Sequence, residues 1–244
     1  MKTIKPIFKE NSKLSMSKWI IGHLPENHRE KTYIEPFSGC ATVLLNKEKS
    51  DVEVLNNQDS NVVKIYQALR DEPKETTRRI NLYKCCEETF TRALKKEKFE
   101  DYLDSAINEF ILRKMSKSEK KQAFHQNPLW ESNTENLIKI SNRIKEVYIL
   151  NKCPFKIIET FNEKSTIVYC SPPYLYETNT SKKVYQSEMD TEKHIELSHL
   201  LNSFKGNVII SGISSPLYKR LYKNWKAYKN KFSGGTVETI WKNF

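Results

Sequence analysis

The chain has 244 residues, enough for one sizeable core and an insertion. Its 41 Lys and Arg outnumber 30 Asp and Glu, a formal net charge of +11, which suits a polyanionic partner such as nucleic acid, although an anionic membrane surface would attract the same charge. No apolar run approaches the ~18 residues of a spanning helix, and the opening MKTIKPIFKE lacks the apolar core of a signal peptide, so no membrane partner is expected.

In chain order, Ser12 to Leu24 reads as a short amphipathic helix carrying Leu14, Trp19, Ile20 and Leu24 and ending at Pro25. Thr32 to Glu35 reads as a strand broken by Pro36 and Gly39, and Val52 to Leu55 as a second strand. Asp59 or Ser60 can then cap a helix running through Arg70. Strands alternating with helices argue for an α/β sheet with parallel strands.

From Pro73 to about Val147 the pattern is charged and helical, with almost no strand signal. This stretch reads as a helical insertion or as extra helices packed on the sheet edge. It contains the basic run Arg113, Lys114, Lys117, Lys120 and Lys121, and an amphipathic helix from Thr134 to Tyr148. The expected division is therefore a sheet domain of residues 1–73 and 148–244, with residues 74–147 inserted. The α/β rhythm returns after Cys153. Thr166 to Cys170 is a buried-strand pattern, Glu192 to Phe204 a helix, and Asn207 to Ser211 a strand. Ser215 with Pro216 opens a further helix, and Thr236 to Trp241 is a last strand.

The five cysteines, Cys40, Cys85, Cys86, Cys153 and Cys170, are odd in number and form no C-x-x-C pair. They suggest neither a disulfide framework nor a zinc site, and fit reduced thiols in a cytoplasm-like compartment. His194 and His199 stand five apart, off the one-face spacing of a helix, so no metal centre is expected.

In open α/β sheets ligands bind beyond the carboxyl ends of the strands. Three segments end strands in chemically suggestive ways. Glu35-Pro36-Phe37-Ser38-Gly39-Cys40-Ala41 is a small-residue turn before a helix, which leaves room for a cofactor near backbone amides. Leu55-Asn56-Asn57-Gln58-Asp59 closes the next strand, where Asn57 can hydrogen-bond a hydroxyl and Asp59 reads as a helix cap. In Ser171-Pro172-Pro173-Tyr174, two prolines remove two amide donors and an aromatic follows. That combination suits gripping an exocyclic amino group while the ring stacks on a base. A Pro-Pro loop that merely closes a strand is the plainer reading.

The order of these segments resembles the Dam-like, phage-type family of adenine-specific DNA methyltransferases. Its members carry an N-terminal cofactor motif, a Pro-Phe-x-Gly turn, a helical target-recognition insert and Asp-Pro-Pro-Tyr. The likeness extends to Phe110–Ser118, to Ser211–Tyr218 and to Glu238-Thr239-Ile240-Trp241-Lys242-Asn243. It implies a Rossmann-like S-adenosylmethionine-dependent methyltransferase sheet. S-Adenosylmethionine would be held by Lys13, Pro36, Phe37, Ser38, Gly39 and Asn57. Double-stranded DNA would be the partner, met by Arg113, Lys114, Lys117, Lys120 and Lys121 of the insert. An adenine flipped from the stack would lie on Tyr174, its amino hydrogens held by Ser171 and the Pro172 carbonyl beside Pro173.

Three positions depart from the family pattern. Ser171 replaces the usual Asp or Asn, Asn57 the usual Asp, and Asn11-Ser12-Lys13 the usual Gly-Gly-Lys. The implied activity is methyl transfer to the adenine amino group. The alternative that these departures raise is a pseudo-methyltransferase with weakened cofactor binding, acting as a DNA-binding or partner subunit beside an active paralogue.

Overall fold

The computed structural model describes residues 3–8, 12–116, 121, 123–127, 130, 133–175, 189–232 and 237–244. Along the chain, helix α1 (Ser12–Ile21) leads to strand β1 (Thr32–Glu35), short helix α2 (Thr42–Asn46) and strand β2 (Val52–Asn56). Helices α3 (Ser60–Asp71), α4 (Pro73–Ile80), α5 (Glu87–Lys95), α6 (Tyr102–Lys114) and α7 (Asn133–Ile144) follow, with no strand between them among the described residues. The alternation resumes with β3 (Tyr148–Leu150), α8 (Pro154–Thr160), β4 (Thr166–Cys170), α9 (Thr191–Asn202) and β5 (Asn207–Gly212). It closes with α10 (Pro216–Leu221), β6 (Lys226–Lys231) and β7 (Val237–Lys242). No described helix is long and apolar enough to cross a membrane.

The chain forms two compact units, Met1–Lys9 with Asp59–Ile149, and Glu10–Gln58 with Leu150–Phe244. The sheet has the strand order β3-β2-β1-β4-β5-β7-β6. β1 pairs in parallel with β2 and β4, β4 in parallel with β5, and β7 runs antiparallel to both β5 and β6. This is the α/β, Rossmann-like sheet expected from the alternating pattern. Order reverses between β1 and β4, where a doubly wound sheet opens a ligand crevice.

Strand side chains alternate between faces, and the two faces differ in chemistry. Ile34, Val54, Val168, Cys170, Val208, Ile210 and Trp241 belong to one apolar cluster with Leu197, Tyr218 and Tyr222. The intervening positions bury Tyr33, Glu35, Glu53, Tyr169, Ser211 and Glu238. The register places Tyr33 beside Glu53, and Ser211 beside Ile240, two residues from Glu238. A line of polar groups therefore crosses one face, and each needs a partner. Lys47 Nζ, itself buried, meets Glu53 at 2.5 Å and lies 4.2 Å from the Tyr33 ring centre. It also donates to Ser50 Oγ and the Glu48 carbonyl.

In the unit that holds α3 to α7, α6 is buried along most of its length, from Leu103 to Lys114. Phe110 packs near Phe8 and Trp130, with ring centres at 6.5 and 5.8 Å. α3 starts as expected, with Asp59 accepting from the Asn61 amide at 3.0 Å, and it clusters with these helices rather than with the sheet. The helix expected to reach Tyr148 stops at Ile144, and Tyr148–Leu150 forms β3 instead. β6, with sequence KAYKNK, had no apolar alternation to announce it.

Candidate active site

Asn56 organises the ends of β1 and β2. It is fully buried. Its Nδ2 donates to the Pro36 carbonyl at 3.0 Å and to the Lys152 carbonyl at 2.9 Å, while its Oδ1 accepts from the Lys152 amide at 2.9 Å. Its own carbonyl accepts from the Ser38 amide at 3.1 Å. One side chain thus ties the ends of β1 and β2 to the segment after β3. The turn bends through the left-handed region at Gly39 (φ 50°) and Ala41 (φ 50°), where a residue with a Cβ is strained. Asn57 Nδ2 donates to the Gly39 carbonyl at 3.1 Å and lies 3.3 Å from Ser38 Oγ. A carboxylate could not make these donations, which gives Asn57 a job in shaping the turn in addition to the hydroxyl contact expected of it.

The turn suits S-adenosylmethionine. Gly39 is exposed, so a ligand can approach its backbone closely, and the buried Thr42 hydroxyl beneath has no protein partner among the described residues. Of the other expected cofactor residues, Pro36 and Ser38 are buried and Phe37 is half-buried in the same turn. The side chain of Lys13 lies outside the described residues.

At the end of β4, Pro172 is buried, while Ser171, Pro173 and Tyr174 are partly open. The Tyr174 hydroxyl donates to Glu238 Oε2 at 3.1 Å, and Glu238 is buried at the start of β7. The segment Glu238–Asn243 entered the sequence reading only as a likeness. Its signal was a carboxylate standing before the apolar Ile240-Trp241 in a strand, where an unpartnered charge would be costly. Behind the loop, the Tyr169 hydroxyl lies 3.1 Å from Ser211 Oγ. Burial pushes the Tyr169 phenol well above its ordinary range, and the nearby Glu35 and Glu238 charges add to this.

Glu35 accepts from the Tyr33 hydroxyl at 2.8 Å and the Leu44 amide at 2.7 Å through one oxygen. Burial raises its pKa from 4.5 to about 7, although both hydrogen bonds and Lys47 pull it down. Between those values the folded state binds more protons than the unfolded one, so stability falls as pH rises through the window. Glu35→Gln keeps a carbonyl acceptor and removes the titration. The buried His194, whose pKa is lowered to about 4, contributes an opposite trend to both proteins, so urea denaturation from pH 5 to pH 8 should show the stability of the wild type falling relative to that of the variant; parallel curves would rule this out.

The described members of the basic run are arranged otherwise than as a surface patch. Arg113 projects from the buried helix α6 and pairs with Asp59 Oδ2 and Glu109 Oε1, both at 2.5 Å, with its guanidinium 5.4 Å from the Phe8 ring centre. Lys121 also pairs with Glu109, and Lys114 is buried. Burial obliges these charges to find internal partners, so Arg113 and Lys121 neutralise carboxylates within their own unit. Lys117 and Lys120 lie outside the described residues. The site residues that the structure brings together are those of the three strand-end loops.

The sequence family described as D12 class N6 adenine-specific DNA methyltransferase matches residues 12–233. The chain is 25% identical over 223 residues to the type II methyltransferase M.CviBI of Paramecium bursaria Chlorella virus NC1A, covering 84% of each. Among solved structures, the rRNA methyltransferase aviRa of Streptomyces viridochromogenes is similar at a TM-score of 0.45 and 11% identity, covering 97% of this chain and 88% of that one. A conserved hypothetical protein of Streptococcus pyogenes is similar at 0.40 and 11%, covering 93% and 95%. The fold assignment rests on the strand order rather than on these distant likenesses. With a match that spans nearly the whole chain, the protein belongs to the D12 class of N6 adenine-specific DNA methyltransferases.

Proposed function

We propose that the chain methylates the exocyclic amino group of an adenine flipped from duplex DNA, using Ser171, Pro172, Pro173 and Tyr174 to receive the base. The observation that carries these roles is the convergence of the β1, β2 and β4 ends at the strand-order reversal, with Tyr174 anchored to Glu238. The family's reaction draws on S-adenosylmethionine, which supplies an electrophilic methyl group on a sulfonium sulfur. Pro36 to Gly39, Asn57 and Lys13 are the residues assigned to hold it. A cytoplasmic setting, where DNA and reduced thiols coexist, accords with this reading.

The chain's own contribution is orientation and hydrogen-bond acceptance. Tyr174 keeps the base flat. Pro172 and Pro173 carry no N–H, so the Pro172 carbonyl faces the amino group without a competing donor from either residue. Together with the Ser171 hydroxyl it accepts the two amino hydrogens and turns the nitrogen lone pair outward. As the methyl group would pass from sulfur to nitrogen, its bond to sulfur breaking with the electron pair left on a neutral thioether, the nitrogen would gain positive charge, which these two oxygens would stabilise until its surplus proton passed to solvent. Among the described residues no geometric feature favours the pseudo-methyltransferase alternative: the Pro36–Gly39 turn and the Pro172–Tyr174 segment are formed, with Ser171 and Asn57 the departures between them.

Ser171 is a weaker acceptor than a carboxylate. Replacing a neutral hydrogen bond with a charge-assisted one adds roughly 1 kcal/mol, so Ser171→Asp should raise the methylation rate about fivefold. A tritiated-methyl transfer assay on unmethylated duplex DNA measures this. An unchanged rate would remove Ser171 from the site. No transfer by either protein, with DNA binding retained, would decide for the pseudo-methyltransferase.

A further inference from the structure

No Asp or Glu occurs from Leu197 to Val237. Within that stretch α10, the turn after it and β6 present Lys219, Arg220, Lys223, Lys226, Lys229 and Lys231, all exposed. Among the described residues none of the six forms an ion pair with a carboxylate, in contrast to Arg113 and Lys121. Their charges therefore face solvent uncompensated, and on one edge of the sheet the potentials add. Strand pairing fixes where this edge lies. β6 is the outermost strand, and its last residues, Asn230 and Lys231, stand opposite Glu238 and Val237. Glu238 is the residue that accepts from Tyr174. The basic edge thus ends level with Glu238, with Asn230 directly opposite it and Lys229 and Lys231 on either side, one position out of step with its face.

We infer that the edge formed by α10 and β6 is a phosphate-contacting surface for duplex DNA, running up to the base-receiving loop. The inference rests on the methylation reading for the identity of the polyanion. It differs from the expectation that the basic run of residues 113–121 holds the backbone. A flipped base needs its flanking phosphates held close to the catalytic loop; Lys229 and Lys231 flank the position opposite Glu238, and Lys226 lies further along the same edge, opposite Lys242. Lysines on an outer strand also discourage edge-to-edge pairing, a role that makes no demand on DNA, so the experiment must separate the two.

Each phosphate neutralised contributes about 0.9 to the slope of log affinity against log salt. Two variants remove charge without touching buried groups: Lys226→Gln with Lys229→Gln and Lys231→Gln, and Lys219→Gln with Arg220→Gln and Lys223→Gln. Binding of a labelled unmethylated duplex is followed by fluorescence anisotropy across a salt series, with thermal melting and light scattering on the same samples. The β6 variant should lose about two to three units of slope, and the α10 variant should lose slope as well, with unchanged melting. Wild-type binding with the same slope in both variants, and new self-association of the β6 variant, would overturn the surface and leave edge protection as its role. A wild type with no salt-dependent affinity for duplex DNA would overturn the methylation reading and this surface with it.

Discussion

Tyr174→Ala is expected to lower the methylation rate by about 5- to 150-fold, the range set by a stacking contribution of about 1–3 kcal/mol. The effect should fall on kcat, because the ring acts on the flipped base after the duplex has bound. Tyr174→Phe keeps the ring and removes the hydroxyl that donates to Glu238 Oε2. Its loss should be smaller, about threefold to tenfold, from a ring whose plane is no longer fixed. Glu238→Gln retains an acceptor for the Tyr174 hydroxyl and should keep most of the wild-type rate. Fluorescence of 2-aminopurine at the target position reads base flipping separately from chemistry, and Tyr174→Ala should leave the flipped state less populated. Full activity in Tyr174→Ala would remove the Ser171–Tyr174 loop from the site.

Lys47→Met is expected to cost about 3–5 kcal/mol of stability, because it strands Glu53 as an unpaired buried carboxylate. Glu53 then lies on the polar face near Tyr33 and Glu35 without its counter-charge. Removing both charges, as in Lys47→Met with Glu53→Leu, should recover most of that loss, since a well-packed apolar pair is often as stable as a buried ion pair. Urea denaturation of the four proteins closes the cycle. A single-variant loss below about 1 kcal/mol, the ordinary value for a surface pair, would mean that water reaches Lys47.

Much of this molecule is legible in its sequence because the informative segments obey short-range rules. Thr32–Glu35 and Thr166–Cys170 are apolar or β-branched runs stopped by proline, and both strands have the expected limits. Asp59 and Ser215 cap their helices as their positions suggest. The failures are long-range. β6 is a strand because β7 lies beside it, and nothing within KAYKNK requires that. Arg113 reads as a surface cation in a basic run, yet α6 is enclosed by the helices around it, which turns its charges inward. Asn56 and Asn57 were legible as a strand end. That Asn56 fastens three segments depends on Lys152, 96 residues further along. The Glu238 partner of Tyr174 lies 64 residues from it.

The position of β4 beside β1 carries a cost in the time needed to fold. Thr32 pairs with Thr166 across 133 intervening residues, whose strands β2 and β3 lie on the far side of β1 from β4. Closing so long a loop in a disordered chain is entropically expensive, and sheets dominated by such distant pairs form slowly. Most of the loop is the run Asp59–Ile149, which is compact by its own contacts. Once these helices have condensed, the flexible chain left to be searched is far shorter than the sequence separation. A helical segment that condensed first would draw the two strands' flanks together and leave the central strand pair as a late step of assembly.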